Sequence, residues 1–260
     1  MADFVHLKYE VVDSIAEISF QRPPVNALSL EMIGEIVNAV NLAAADANVR
    51  AVIFASGIAR RFCAGLDLNL ILDQPSDHIY NVLKRLYIDL YDAQYKLGKP
   101  SIAAVNGAAR GGGMTVAVSC DVVIASEQAT FGYPEIELGL IPGIHFVHLP
   151  RIVGRHRAFE LLFSGRSFPA SEAQSLGIVS QVVPGDAVMS SARTLARSFA
   201  AKSPTVMRLG RAAFMRANDL DYRRSIENVV DSFCTIAGTD DAREGLRAFK
   251  DGRKPNWQEV

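Results

Sequence analysis

Two kinds of hydrophobic pattern alternate along the first 185 residues, and only one of them continues beyond. Short apolar runs typical of strands occur at 7–20 (two strands around Asp13-Ser14), 49–55, 102–105, 121–125, 130–132 and 178–183. Stripes with helical spacing occur at 28–40, 77–98, 155–163 and 170–176. From residue 186 the pattern is helical only, over 186–201, 204–217, 221–236 and 240–250. This order predicts an α/β core over 1–185 and a helical region over 186–260.

Capping residues support several of these helices. Ser29 is a suitable N-cap for the first stripe, and Asp77 is the expected cap of the helix over 77–98. Gly98 and Pro100 should end that helix. The stretch 133–143 contains too many prolines and glycines for a long element, so we expect a loop there.

The composition is that of a globular protein whose net charge creates no strong electrostatic field. The 260 residues are 49% hydrophobic and 21% charged, and the formal net charge is −1. A charge so close to zero argues against nucleic acid and anionic membranes as partners. No apolar run approaches the ~18 residues needed to span a membrane. The start, Met-Ala-Asp-Phe-Val-His, lacks the pattern of a signal or transit peptide, so we expect a cytoplasmic protein.

Cysteine and histidine spacing gives no sign of a metal site. Cys63, Cys120 and Cys234 are spread along the chain without ligand spacing, which favours free thiols. His145 and His148 lie three residues apart, a spacing compatible with metal binding, but no third ligand pattern accompanies them. We therefore expect no metal.

Two glycine-containing loops each follow a buried strand. One is Ala64-Gly65-Leu66-Asp67 after strand 49–55, and the other is Gly111-Gly112-Gly113 after strand 102–105. If the two strands are neighbours in one sheet, the loops emerge at the same edge, where one backbone N–H from each can bind a single oxygen. Such a pair stabilises negative charge developing on a carbonyl oxygen. The sequence thus predicts an oxyanion hole.

Two other interpretations of the glycines have less support. A phosphate-binding loop needs G-x-G-x-x-G or G-x-x-x-x-G-K-[ST], and neither stretch has either pattern. Tight packing of a helix against the glycines is the structural alternative, and the presence of two such loops weakens it.

Glu135 and Glu137 are the best candidates for a reactive group. They lie in the loop after the strand region 121–132, among the apolar residues Tyr133, Ile136 and Leu138. A glutamate held against apolar neighbours has its pKa raised towards neutrality and can act as a general base. Simple solvation of both carboxylates is the alternative at this stage.

These motifs together resemble the crotonase (enoyl-CoA hydratase/isomerase) superfamily. The resemblance rests on Phe62 to Leu68, on Asn106-Gly107 with Gly111 to Gly113, and on Phe131 to Ile136 with Gly139 to Gly143, and it covers nearly the whole chain. It implies a spiral of ββα units of the ClpP/crotonase-like fold, with a helical C-terminal trimerisation region. The implied assembly is a homotrimer or a dimer of trimers.

The resemblance also implies roles for particular residues. The N–H groups of Leu66 and Gly112 would polarise an acyl-CoA thioester carbonyl, and Glu135 would be the catalytic acid/base. Coenzyme A would be part of the substrate, with no separate cofactor, and would contact Arg60 or Arg61 near its phosphates. Its adenine would contact the backbone of Ala64, Gly65, Leu66, Asp67 and Leu68, and also Phe249. The lysine expected soon after Phe249 is replaced by Gly252, leaving Arg253 or Lys254 as weaker substitutes.

The departure from the family pattern lies at Thr115. Family hydratases carry a second glutamate two residues beyond the glycine triplet, where this chain has Thr115. A hydroxyl can orient water but cannot act as a general acid or base near neutral pH. A second departure is Ile144-His145-Phe146, whose bulk should reshape the acyl pocket. Thr115, Glu137 and His145 are therefore possible auxiliary groups, with pocket lining the simpler role for His145.

The sequence thus predicts an enoyl-CoA hydratase/isomerase-type enzyme that works through a thioester enolate with one glutamate. One-carboxylate members of the family include double-bond isomerases and hydratase-lyases of aromatic substrates. A crotonase-fold acyl-CoA hydrolase or carbon–carbon lyase is the alternative within the family. A non-catalytic member that binds CoA or RNA is the alternative from another class, although the near-zero charge argues against RNA.

Overall fold

The computed structural model describes residues 4–218 and 222–257. Within these ranges the strands are β1 Leu7–Val12, β2 Ile15–Phe20, β3 Ala51–Ser56, β4 Arg61–Cys63, β5 Ser101–Val105, β6 Ala108–Arg110, β7 Val122–Ser126, β8 Thr130–Gly132, β9 Ser167–Pro169 and β10 Gln181–Val183. The α-helices are α1 Leu30–Ala45, α2 Ser76–Leu83, α3 Leu90–Lys96, α4 Gly112–Val118, α5 Gly143–Val153, α6 Arg155–Ser164, α7 Ala170–Ser175, α8 Val188–Ala200, α9 Pro204–Asn218, α10 Tyr222–Ala237 and α11 Asp240–Lys250.

The larger sheet has six strands in the order β1-β2-β3-β5-β7-β10. β1 and β2 are antiparallel, and every later pairing in this sheet is parallel. Successive side chains of a strand point to opposite faces. Accordingly Val52 and Phe54 of β3 join the main core, whereas Ile53 and Ala55 join a second core on the other face. Burial on both faces explains why β3 reads as a continuous apolar run.

Helix α8 covers this second face of the larger sheet. Its residues Val188, Ala192 and Ala196 are fully buried and belong to the second core. α8 is the first helix of the predicted helical region 186–260, and it therefore packs on the sheet of the predicted core. The division of the chain into 1–185 and 186–260 stays a prediction, and residues 1–3, 219–221 and 258–260 lie outside the described parts of the chain.

A smaller sheet, in the order β4-β6-β8-β9, positions the candidate site. β4, β6 and β8 are parallel, and β9 is antiparallel to β8. These strands have three residues each, too few to show a period of two. The sequence predicts only β8, whose Thr130 and Phe131 favour a strand. The carboxyl ends of the three parallel strands lie at one edge of this sheet.

Several local predictions are confirmed. The two N-terminal strands pair around Asp13 and Ser14, which both have positive φ, 50° and 62°. The Ser29 side chain caps α1 by accepting a hydrogen bond from the Met32 N–H at 3.2 Å. The C-terminal helices lie where the pattern placed them, except that residue 221 is outside the described residues.

Other local predictions were wrong. The helix expected over 77–98 consists of α2, a π-helical stretch at Lys84–Asp89 and α3, and Pro75 rather than Asp77 is at its N-cap position. The predicted strand at 178–183 is only β10, Gln181–Val183. The stretch at 133–143 has no long element, as predicted, although it contains a short 3₁₀ helix, Pro134–Leu138, and α5 begins at its last residue, Gly143. α5 was missed because Pro142 precedes it and Pro150 lies inside it.

The last two helices enclose the candidate site. α10 packs on α5, α2 and the π-helical stretch, and α11 packs on the 3₁₀ helix Pro134–Leu138. In the described parts of the chain, the helices all fall short of the length and apolarity that a membrane crossing requires.

Candidate active site

The three parallel strands of the smaller sheet deliver three short segments to one edge. β4 leads into Ala64–Leu66, β6 into Gly111–Gly112, and β8 into Tyr133–Glu135. The strands are aligned by parallel pairing, with Cys63 opposite Ala109 and Arg110 opposite Gly132. Parallel pairing puts equivalent ends side by side, so the glycine loops and Glu135 meet in space although up to 71 residues separate them in sequence.

The two expected oxyanion donors lie beside each other. A Cβ atom built on Gly112 would lie 3.3 Å from the Leu66 nitrogen, and one built on Gly65 would lie 3.3 Å from the Gly112 nitrogen. Within residues 4–218 and 222–257, neither the Leu66 N–H nor the Gly112 N–H donates a hydrogen bond to another protein atom. Gly112 is the first residue of α4, where the helix itself offers its N–H no partner. Both groups are thus available to a ligand oxygen.

Glu135 lies next to these donors. Its Oε1 atom is close to Gly111, because a Cβ built on Gly111 would lie 2.5 Å from it. Its Oε2 atom is fully buried without a hydrogen-bond partner in the described structure, although the residue as a whole is partly exposed. Burial raises the pKa of the Glu135 carboxyl from 4.5 to about 7. A carboxyl with this pKa can both accept and return a proton near neutral pH.

The candidate catalytic cavity is small, about 60 Å³. It contains Glu135 and the two oxyanion donors, together with apolar side chains of α2, the π-helical stretch, the 3₁₀ helix and α10. These include Leu83, Leu86, Tyr87, Leu138 and Phe233. Water is therefore largely replaced by apolar surface around the carboxyl, which explains the direction of its pKa shift.

Thr115 and His145 form a buried pair next to this cavity. Thr115 Oγ1 lies 3.3 Å from His145 Nε2, and the two residues are 4% and 1% exposed. Burial, followed by the charge of His148, lowers the pKa of His145 to about 3. The imidazole is therefore uncharged at neutral pH and too weak a base to replace a second carboxylate. Its ring also packs on Tyr133, with centroids 4.5 Å apart.

The other candidate reactive groups lie elsewhere. Glu137 is exposed and sits beside Gly165 at the start of the turn into β9, outside the catalytic cavity. Cys63 is buried and donates to the Asn26 carbonyl at 3.0 Å, and burial raises the pKa of its thiol to about 12. No group of three His, Cys, Asp or Glu side chains suited to a metal ion occurs in the described part of the chain.

The residues expected to contact coenzyme A fall into two groups. Ala64, Gly65, Leu66 and Leu68 line the catalytic cavity, whereas Arg60 does not: it has a positive φ of 57° and its backbone lies against Gly107. The Asp67 carboxylate is held by Arg22 at 2.9 Å and also caps the 3₁₀ turn at Leu68–Leu70. Little of the Asp67 carboxylate is therefore free for a ligand.

Phe249 lies on the exposed side of α11. Its side chain is 63% exposed, and the salt bridge from Arg247 to Asp73, 3.0 Å, ties this part of the helix to the segment after the Ala64–Leu68 loop. Arg253 is paired with Glu244 through two hydrogen bonds of 2.6 and 2.9 Å. It is thus engaged within its own chain, whereas the exposed Lys254 follows it.

Three features of the site were missed from the sequence. Tyr87 lines the cavity, and burial and then the nearby Glu135 charge raise the pKa of its hydroxyl. The Tyr133 hydroxyl is buried without a hydrogen-bond partner in the described residues. Gln94 is 1% exposed and continues the spacing of Leu83, Leu86 and Leu90. A polar residue within an apolar helical stripe was the available signal for Gln94.

Comparison with known proteins gives a consistent result. The family model described as enoyl-CoA hydratase/isomerase matches residues 10–260. A probable mitochondrial enoyl-CoA hydratase of Dictyostelium discoideum is 36% identical over 92% of this chain and 86% of its own length. The 2,3-dehydroadipyl-CoA hydratase of Escherichia coli is 35% identical over 93% of this chain and 94% of its own.

Among solved structures, human mitochondrial delta3-delta2-enoyl-CoA isomerase superposes with a TM-score of 0.86. It is 28% identical, and the match covers 95% of this chain and 97% of that chain. Similar proteins thus include both hydratases and an isomerase, on one fold.

Proposed function

The chain belongs to the enoyl-CoA hydratase/isomerase family, and from that premise we propose that it moves protons on an acyl-CoA thioester with Glu135 as its one acid/base. The Leu66 and Gly112 N–H groups hold the thioester oxygen. The observation that carries the proposal is their convergence with one buried carboxyl, of pKa about 7 through burial, on a single small cavity.

Proton transfer between carbons suits a site with one such carboxyl. The Glu135 carboxylate removes a proton from the carbon between the thioester carbonyl and the double bond. The C–H electron pair forms a new double bond to the carbonyl carbon, and the carbonyl π pair moves onto the thioester oxygen. The two N–H groups stabilise the resulting enolate, an effect worth roughly 3 kcal/mol per donor. Glu135, now a carboxylic acid, returns the proton to the far carbon of the original double bond. The carbonyl re-forms, the double bond moves to the position next to it, and Glu135 regains its charge.

Addition of water is the second candidate reaction, favoured by the Thr115–His145 pair. Thr115 lies one helical turn beyond Gly111, against which Glu135 packs, and a hydroxyl held there by an uncharged imidazole can orient a water molecule. Neither group supplies a second acid or base, because burial keeps the pKa of His145 at about 3. We therefore expect hydration of crotonyl-CoA to be slow, below the ~10² per second of efficient enzymes.

Product analysis tests this proposal directly. The chain is given 3-hexenoyl-CoA and crotonyl-CoA, and double-bond shift, water addition and release of free CoA are scored separately. We expect double-bond shift to exceed water addition. Free CoA as the main product would instead identify a hydrolase, and a shortened acyl product a carbon–carbon lyase. Retention of RNA on a filter without any acyl-CoA turnover would point to the non-catalytic alternative.

Glu135→Gln separates catalysis from binding. We expect turnover to fall by 10² to 10⁴, the usual contribution of a general acid/base, while acyl-CoA affinity changes less than about threefold. Glu137→Gln is the matched control, since Glu137 lies on the surface outside the cavity. Activity that survives in Glu135→Gln would contradict Glu135 as the acid/base.

We also propose that the chain assembles as a homotrimer or a dimer of trimers. Large apolar side chains are exposed on α6 and α9, among them Phe159, Val206 and Leu209 at 62%, 69% and 54%. A surface of this kind marks a contact with another protein surface. Light scattering after size-exclusion chromatography should give three or six times the 28.2 kDa chain mass, and a monomer would contradict it.

A further inference from the structure

A second cavity, here called the distal cavity, lies beyond Thr115. It is about 360 Å³, and Leu86 and Tyr87 line both it and the catalytic cavity of about 60 Å³. The catalytic cavity has about one sixth of the volume of the distal cavity. A long acyl chain therefore finds most of its space in the distal cavity.

Most of the lining of the distal cavity is apolar. It comes from α3, α4, α5, α9 and the π-helical stretch, and includes Leu86, Leu90, Val118, Ile144, Ile152 and Phe214. Such a surface suits the hydrocarbon part of an acyl group. Polar side chains also line this cavity, and the buried ones among them, Gln94, Thr115 and His145, bear on which chains fit.

Two buried polar side chains of this lining each have an atom without a partner. Gln94 Nε2 donates to Ser119 Oγ at 3.3 Å, but Gln94 Oε1 has no hydrogen-bond partner in the described structure. His145 Nε2 contacts Thr115 Oγ1, and among the same residues His145 Nδ1 has none. Both residues are only 1% exposed. Buried polar groups are usually paired, so these atoms point to a ligand.

The two groups are placed at a fixed spacing by α4 and the residue that follows it. Gln94 is held at Ser119 and His145 at Thr115, which are four residues apart and therefore on one face. A rise of 1.5 Å per residue separates these anchor points by about 6 Å along the helix axis. A polar group on an acyl chain passing Thr115 can thus meet one or both of them.

A hydroxyl group matches these two side chains best. The Ser119 hydroxyl donates to the Val116 carbonyl at 2.8 Å, so the Gln94 nitrogen faces Ser119 and the unpaired Gln94 Oε1 is an acceptor. An imidazole can change tautomer, so His145 Nδ1 can be a donor or an acceptor. A hydroxyl both donates and accepts, and it satisfies either arrangement. We propose that the distal cavity receives the far part of the acyl chain, and that Gln94 and His145 select chains carrying an uncharged hydroxyl group.

A carboxylate on the chain fits less well. His145 is uncharged, and no lysine or arginine stands beside Gln94 or Thr115 in the lining. Arg151 lies at the outer, exposed end, and Arg211, which is not part of the lining, donates to Asp121 at 2.9 Å. Burying a carboxylate without a neighbouring cation is costly.

Binding of unreactive thioesters tests the inference, which rests on the proposed acyl-CoA chemistry. Octanoyl-CoA is compared by calorimetry with the series of its hydroxy derivatives, carrying the hydroxyl at carbons 5 to 8, and with the CoA monoester of octanedioic acid. We expect the best hydroxy derivative to bind about tenfold more tightly than octanoyl-CoA, as for one net hydrogen bond or slightly more. The octanedioic monoester should bind no more tightly than octanoyl-CoA.

Variants assign the effect to the two side chains. Gln94→Leu and His145→Leu should each reduce the preference for the hydroxyl to less than threefold while octanoyl-CoA still binds. Gln128→Leu, at an exposed position between β7 and β8, is the matched control and should keep the preference. Val118→Phe narrows the distal cavity and should raise the ratio of octanoyl-CoA to butyryl-CoA dissociation constants at least tenfold.

Each contrary result has a distinct meaning. Tightest binding of the octanedioic monoester, or no gain from any hydroxyl, overturns the hydroxyl assignment while leaving the proposed function intact. An unchanged octanoyl to butyryl ratio in a folded Val118→Phe variant overturns the location of the chain. A protein that binds none of these thioesters overturns the proposed function and the inference together.

Discussion

The Glu135 carboxylate lies against the bare Cα of Gly111, in space that any side chain at position 111 would fill. A Cβ atom there would be 2.5 Å from Oε1, and Gly111 also has a φ of 46°, which L side chains rarely adopt. The first glycine of the triplet therefore makes room for the catalytic carboxyl, whereas the second provides an N–H.

Gly111→Ala should move the Glu135 carboxylate and remove most of the activity. Displacement of a reacting group by about 1 Å costs roughly 100-fold, so we expect kcat/KM to fall at least that far. Gly154→Ala is the control, because Gly154 has a φ of 78° but nothing within 4 Å of a built Cβ. Both variants should lose about 1–3 kcal/mol of stability from backbone strain. Equal activity in the two would contradict the role of Gly111.

The pH profile should report Glu135. Burial raises the pKa of this carboxyl to about 7, and only the carboxylate can remove a proton. kcat/KM should thus rise about tenfold per pH unit below 7 and level off by about pH 8. Burial lowers the pKa of His145 to about 3 and that of His148 to about 4, so neither adds an inflection between pH 5 and 8. A profile that is flat over this range would argue against Glu135 as the base.

The ionised carboxylate of Glu135 should also lower the free energy of unfolding of the protein at neutral and alkaline pH. Burial raises the pKa of its carboxyl from 4.5 to about 7, so the folded state binds more protons between these values and stability falls as pH rises through them. The loss approaches about 3 kcal/mol above pH 7.

Urea denaturation measures that loss. Glu135→Gln carries no charge, so it should exceed the natural chain in free energy of unfolding at pH 8, by up to about 3 kcal/mol. The difference should shrink towards zero near pH 4.5. Glu137→Gln, at an exposed site, should stay within about 0.5 kcal/mol at both pH values. A constant difference between the two pH values would show that Glu135 keeps an ordinary pKa.

Sequence reasoning reached the oxyanion donors and Glu135 because unusual local chemistry marks them. Three consecutive glycines and a glutamate after proline stand out without any knowledge of tertiary structure. The smaller sheet, which brings these residues together, was missed because its strands carry no such local mark. β4, β6 and β9 have only three residues each. Periodicity cannot identify so short a strand.

The helix region 76–96 shows a second limit. Its apolar stripe predicts which face is buried but not the hydrogen-bond pattern of the backbone. The π-helical stretch at Lys84–Asp89 therefore went unseen, together with the placement of Tyr87 between the two cavities. Single π-helical turns are frequent at functional sites, because they change the direction of side chains without ending the helix.

Thr115→Glu tests whether one residue sets the balance between water addition and double-bond shift. A carboxyl at position 115 would supply the second acid/base that the Thr115–His145 pair cannot, since burial lowers the pKa of His145 to about 3. General acid–base groups contribute about 10² to 10⁴, so even an imperfectly placed one should raise crotonyl-CoA hydration at least tenfold. Thr115→Gln has nearly the same size without the acid and should give no gain. If both variants hydrate crotonyl-CoA equally, the size of residue 115 controls the reaction rather than its ability to carry a proton.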